Sequence, residues 1–166
     1  NHLFFENDWR SLSDLISFGH DIETSWLLVE AAEGLGDPAF VAETREVAAK
    51  MAGAVYRLGL DVDGAVLHEG SPRGIHDPTK HWWCQAEGVV GFLNAYQKTG
   101  DERYAAAALR IWDFIQQKMV DRVHGEWFKV LTRDGTPIPG QWKAGPWEDP
   151  YHQARACLEV LHRIGK

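Results

Sequence analysis

The feature that most constrains this chain is that it repeats itself. Gly36-Asp37 recurs as Gly100-Asp101 at an offset of 64 residues, and the same offset carries Glu23 onto Glu87. An offset of 65 carries Gly100 onto Gly165 and Glu87 onto His152. Asp63-Gly64 and His124-Gly125 stand 61 apart, each shortly after a second helical pattern and before a short strand pattern. The unit is therefore a helical hairpin plus a short β excursion. Units of this size cannot bury their apolar faces alone, so neighbouring hairpins must share one continuous core.

Hydrophobic periodicity fills in the unit. A first helix is predicted from about Ser17 to Glu33, carrying Ile22, Trp26, Leu27 and Val29 among small residues. Gly34, Gly36, Asp37 and Pro38 end it and start a second, from about Ala39 to Leu58. A short strand or turn, Ala65–His68, follows Asp63-Gly64. A third helix runs from about His81 to Gln97 and a fourth from about Glu102 to Met119. Glu126–Thr132 reads as a strand, with Asp134-Gly135 as its hairpin turn. A fifth helix covers Tyr151 to Ile164, with Pro150 in an early helical position and Glu148 and Asp149 placed to cap.

Helices one and three are apolar or small on several faces, as inner helices of a double ring are. Helices two and four keep one polar side, with Glu43, Arg45, Glu46 and Lys50 on one and Arg103, Arg110 and Asp113 on the other. The expected fold class is all-α, a single domain over 1–166 forming a partial (α/α) barrel of about five helices with short β hairpins. Five helices make an open arc.

Composition excludes several functions. Seventeen basic against twenty-four acidic residues give a net charge of −7 with no dense basic run. Nucleic acid and anionic membranes are thus disfavoured as partners. No apolar run approaches the roughly 18–20 residues a membrane span needs. The first residue is Asn1 rather than Met, so a processed or truncated start is expected. Cys84 and Cys157 both fall in helical patterns and read as buried free thiols, which suits a reducing cytoplasm. Eight Trp and eight His fit carbohydrate chemistry, where rings stack on sugar faces and polar groups meet hydroxyls.

Three clusters could carry chemistry. In Ser17–Trp26, His20 and Glu23 are three apart at a helix start, sharing a face that Trp26 continues. A His beside a carboxylate gains basicity and orientation for proton transfer; the plainer alternative is a capping cluster. In His81–Glu87, Trp83 and Glu87 pair a stacking platform with a carboxylate, or else a core anchor with a solvated Glu. In Lys143–His152, His152 falls in a first helical turn, where the repeat places Glu23 and Glu87. Ionisable residues at three equivalent positions of an otherwise apolar repeat indicate a site at one height. His2, His68, His76, His124 and His162 show no zinc-ligand spacing, so no metal is expected. Neither a nucleophile elbow, a P-loop nor G-x-G-x-x-G occurs.

The strings SFGHDIETSWLL at 17–28, KHWWCQAEGVVGFLNAY at 80–96, GEWF at 125–128 and GPWEDPYHQAR at 145–155, after FFENDW at 4–9, resemble the N-acylglucosamine 2-epimerase superfamily, and within it the cellobiose 2-epimerase branch. The resemblance implies an (α/α)6 barrel and reversible epimerisation at C2 of a reducing-end aldose, with no cofactor. By it His20 and His152 match the paired acid/base histidines, and Glu23 a carboxylate that orients groups for ring opening. Trp26, Trp83, Glu87 and Trp147 match residues around the sugar, which would be a mono- or disaccharide. Glu148-Asp149 is more acidic than the branch pattern. Such barrels also draw an Arg and a further His from a first half that these residues do not match. The chain alone is therefore expected to be inactive or very weak unless an N-terminal half or a second copy completes the barrel. Rival readings are an aldose–ketose isomerase, a glycoside hydrolase using Glu23 and Glu87, and a non-catalytic sugar-binding fragment.

Overall fold

The computed structural model describes residues 3–165 of the chain; His2 lies outside them. Five α-helices carry the described fold: α1 (Phe18–Leu35), α2 (Pro38–Leu58), α3 (Trp82–Thr99), α4 (Glu102–Phe114) and α5 (Tyr151–Ile164). The recurring Gly-Asp step turns out to be a stop followed by a start. Gly36 and Gly100 take left-handed conformations with φ of 74° and 73°, returning their amides to Ala32 and Tyr96. Asp37 then accepts the amides of Ala39 and Phe40, and Asp101 that of Arg103. Gly165, the third copy by sequence, has φ −83° and is followed by Lys166 rather than Asp.

The β segments differ from the sequence expectation. Residues 65–68 make only a bridge between Leu60 and Val66. The actual meander pairs β1 (Ile16–Ser17) with β2 (Glu69–Ser71), and β2 with β3 (Gly74–Asp77), all antiparallel. The strand expected over Glu126–Thr132 shrinks to β5 (Val130–Leu131), which pairs with β4 (Lys80–His81). Glu126 has a positive φ of 63°, which breaks extended geometry at the start of that segment. The fourth helix does not stay α-helical to Met119, because Ile115–Met119 widens into a π turn.

Twelve of the 18 residues of α3 are buried, and α3 packs against α1, α2, α4 and α5. It is the centre of the arc. Ile22, Val55, Phe92, Ala95, Tyr104 and Ile111 join one core from four helices. At Gly91 an added Cβ would meet Ile22 Cγ1 at 2.5 Å and its carbonyl oxygen at 2.7 Å, so α1 and α3 touch there backbone to side chain. The excursions are pinned by Lys80, fully buried, whose ammonium lies 3.1 Å from Asp61 and 2.5 Å from Asp63 and donates to the Arg133 carbonyl. Arg133 closes the group on Asp61 at 2.9 Å.

Helix α5 is the outlier. Only Gln153 and Ala156 are buried along it, while Leu158, Leu161 and Ile164 are exposed. Cys84 is buried as expected, but Cys157 is exposed on this uncovered side. Among the described residues no helix is long and apolar enough to cross a membrane.

Candidate active site

The first turns of α1, α3 and α5 meet, so residues a repeat length apart in sequence come within hydrogen-bonding distance. Glu87, 1% exposed, is the hub. Its Oε1 lies 2.7 Å from His152 Nδ1 and accepts from Arg155 Nη2 at 2.6 Å. Its Oε2 accepts from the Trp26 indole N–H at 3.0 Å. Arg155 also reaches Glu23 Oε1 at 2.5 Å. The equivalence of Glu23, Glu87 and His152 thus becomes a physical cluster, with Arg155 as the cation between two carboxylates.

Trp83 joins the two histidines. Its ring lies 4.7 Å from that of His20 and 5.8 Å from that of His152, centroid to centroid. His20 is exposed and its Nδ1 lies 2.7 Å from Ser17 Oγ. Glu23 was expected beside His20, but it turns to Arg155, leaving Ser17 as the group that orients His20. Helical spacing alone could not separate these outcomes, because the competing cation comes from α5.

Two expected sugar contacts are placed elsewhere. Trp26 is 1% exposed beneath Arg155, whose guanidinium carbon lies 5.0 Å from the indole ring, and it meets the cluster through its hydrogen bond to Glu87. Trp147 is 85% exposed in the loop before α5 and does not join the cluster. In that loop Asp149 accepts the Tyr151 amide, but Glu148 pairs with Lys129 instead of capping. Pro150 stands at the N-cap itself.

Arg155 was missed as a site residue. The signal available was charge balance: two buried-face carboxylates at one height need a cation, and Arg155 shares the His152 face at i, i+3. A second group brings together His68, Asp77 and His81, which sequence spacing does not join. His68 Nδ1 lies 3.1 Å from Asp77 Oδ2, and the His68 and His81 rings stack 3.8 Å apart, 16° from parallel. Burial, aided by neighbouring His68, brings the His81 pKa down to about 4. Both groups bring three ligand-type atoms close together. In the first, however, the Arg155 guanidinium already sits between the carboxylates, and in the second near-parallel rings aim their in-plane lone pairs along separate planes.

Fold and site together define a segment of a helical-hairpin barrel, with a histidine–carboxylate site at the N-termini of its inner helices. Residues 4–156 match the N-acylglucosamine 2-epimerase (GlcNAc 2-epimerase) family, and the chain belongs to it. It is 45% identical over 160 residues to the cellobiose 2-epimerase of Bacteroides fragilis, covering 96% of this chain and 41% of that protein. Its fold is similar to a sugar epimerase from a ruminal bacterium, with TM-score 0.93 and 38% identity over 98% of this chain and 41% of that one. It is also similar to the cellobiose 2-epimerase of Bacillus thermoamylovorans B4167, with TM-score 0.87 and 40% identity over 96% of this chain and 40% of that one. The chain spans about two fifths of the length of the relatives it matches.

Proposed function

We propose that this chain supplies the proton-transfer half of a sugar 2-epimerase. In this reading a reducing-end aldose opens to its aldehyde and one histidine of the His20/His152 pair removes the C2 proton. The electrons move into the C1 carbonyl, giving an enediolate. Rotation about C2–C3 presents the other face, and the second histidine returns a proton to C2. The observation that carries this reading is that His20 and His152, from different inner helices, both pack on Trp83. A sugar carbon held over that ring would have an imidazole within reach on either side. The positive ends of three helices favour the anionic intermediate, and an imidazole near its working pKa can both take and give a proton.

Glu87 is proposed to fix His152 through Nδ1, leaving Nε2 for substrate. Glu23 joins the same cluster through Arg155 and is suited to a sugar hydroxyl through its second oxygen. Trp83 is proposed as the sugar platform. The substrate class is a mono- or disaccharide with a free reducing end, supported by the relatives' names. We also infer that further chain, from an N-terminal half or a second copy, closes the barrel. A reducing, cytoplasmic setting is supported by two unpaired thiols.

The test is a chimera in which these residues replace the matching segment of the Bacteroides fragilis enzyme. Incubated with a reducing disaccharide in D2O, it is expected to yield the C2 epimer with the glycosidic bond intact. Release of monosaccharide would favour a hydrolase, and a ketose product an isomerase; either would overturn the proposal.

A further inference from the structure

We propose that Arg155 is a positioning residue for His152: by taking up the charge of Glu87, it keeps His152 singly protonated, on Nδ1. This rests on the proton-transfer role assigned to His152 above. A carboxylate only accepts, so the proton in the His152–Glu87 contact lies on Nδ1 when the imidazole carries one proton. That leaves the Nε2 lone pair free to act as a base.

What decides whether the imidazole takes a second proton is how much negative charge Glu87 presents to it. Glu87 is almost wholly buried, and a buried carboxylate left unpaired draws a proton or a cation to itself. Arg155 answers that demand on the same oxygen His152 uses, at 2.6 Å against 2.7 Å. Trp26 holds the other oxygen, so the carboxylate cannot rotate away from the shared arrangement. The remaining groups around His152 are the rings of Trp82, Trp83 and Tyr151. Glu23 stands behind Arg155 on α1 and shares its charge. Arg155 itself is held between the faces of Trp26 and Tyr151, with centroid distances of 5.0 Å and 4.5 Å, which fixes where its charge sits. No other cation contacts Glu87 among the described residues.

The experiment reads imidazole 15N signals of the chain at one near-neutral pH, with circular dichroism confirming the fold, and needs no turnover. The unsubstituted chain is expected to show His152 protonated on Nδ1 alone. R155Q should convert that signal to the doubly protonated pattern, and R155K, which keeps the cation, should restore the original one. The double variant R155Q/E87Q removes the almost wholly buried Glu87 charge together with its cation and leaves only the part-buried Glu23 carboxylate, which water reaches, so it remains readable if R155Q does not fold. It should give the same His152 pattern as E87Q. A His152 signal unchanged in R155Q, or a double variant that differs from E87Q, would overturn the proposal. Because no sugar chemistry is measured, this can fail while the epimerase reading stands, and the reverse.

Discussion

His81 shows how one side chain couples the site's surroundings to pH. Its folded pKa of about 4 lies below the ordinary 6.5 because burial and His68 oppose its charge. Between those values the unfolded chain binds a proton that the folded chain does not. Stability from this group is therefore complete above 6.5 and is lost as pH falls toward 4. Thermal melts of H81F are expected to be flatter across that window than those of the unsubstituted chain; parallel pH curves would refute the assignment. A separate acid limb belongs to Asp61, held at about 2, below its ordinary 3.8, first by Arg133 and then by Lys80. Its contribution is present above 3.8 and disappears as pH drops toward 2, so D61N should remove that limb. At this scale Glu23, Glu87 and His152 were legible from the sequence because the repeat aligned them, and His20 because it stands three residues before Glu23 at a helix start. Arg155 was legible only indirectly, through the charge balance of the aligned carboxylates, since its partners Glu23 and Glu87 lie 132 and 68 residues away.

Among the elements, the helices were readable because their punctuation is local. Gly-Asp ends one helix and caps the next through contacts within four residues. The strands were not readable, since β1 and its partner β2 are separated in sequence by two helices. The same dependence on distant partners explains the shortened β5. Close packing of α1 on α3 gives a direct check. Gly91→Ala pushes a methyl into Ile22 and is expected to cost about 1–3 kcal/mol, as overpacking does. A urea titration should show a lower midpoint, and an unchanged midpoint would mean that the contact relaxes freely.

At the scale of the whole molecule, the arc exposes apolar surface that a closed ring would cover. Leu158, Leu161 and Ile164 on α5, with Leu109 and Trp112 on α4, form an exposed apolar side. Sedimentation is expected to show mass rising with concentration, and Leu161→Glu to suppress the rise; a strictly monomeric chain at high concentration would contradict this. The sequence repeat made an open arc of hairpins legible, because it counts units. It could not show that α5, aligned with the inner helices, would lie with half of its residues exposed, because burial depends on what packs outside it.

The central claim is that His20 and His152 act as a pair on one sugar carbon. It is tested most directly by deuterium incorporation at C2 in the chimera described above, compared with its H20N and H152N variants. The expected result is a C2-deuterated epimer from the unsubstituted chimera and a rate lowered by about 10²–10⁴-fold in each variant, the usual worth of a positioned acid or base. Epimerisation at an undiminished rate in either variant, or product that keeps its original hydrogen at C2, would contradict it.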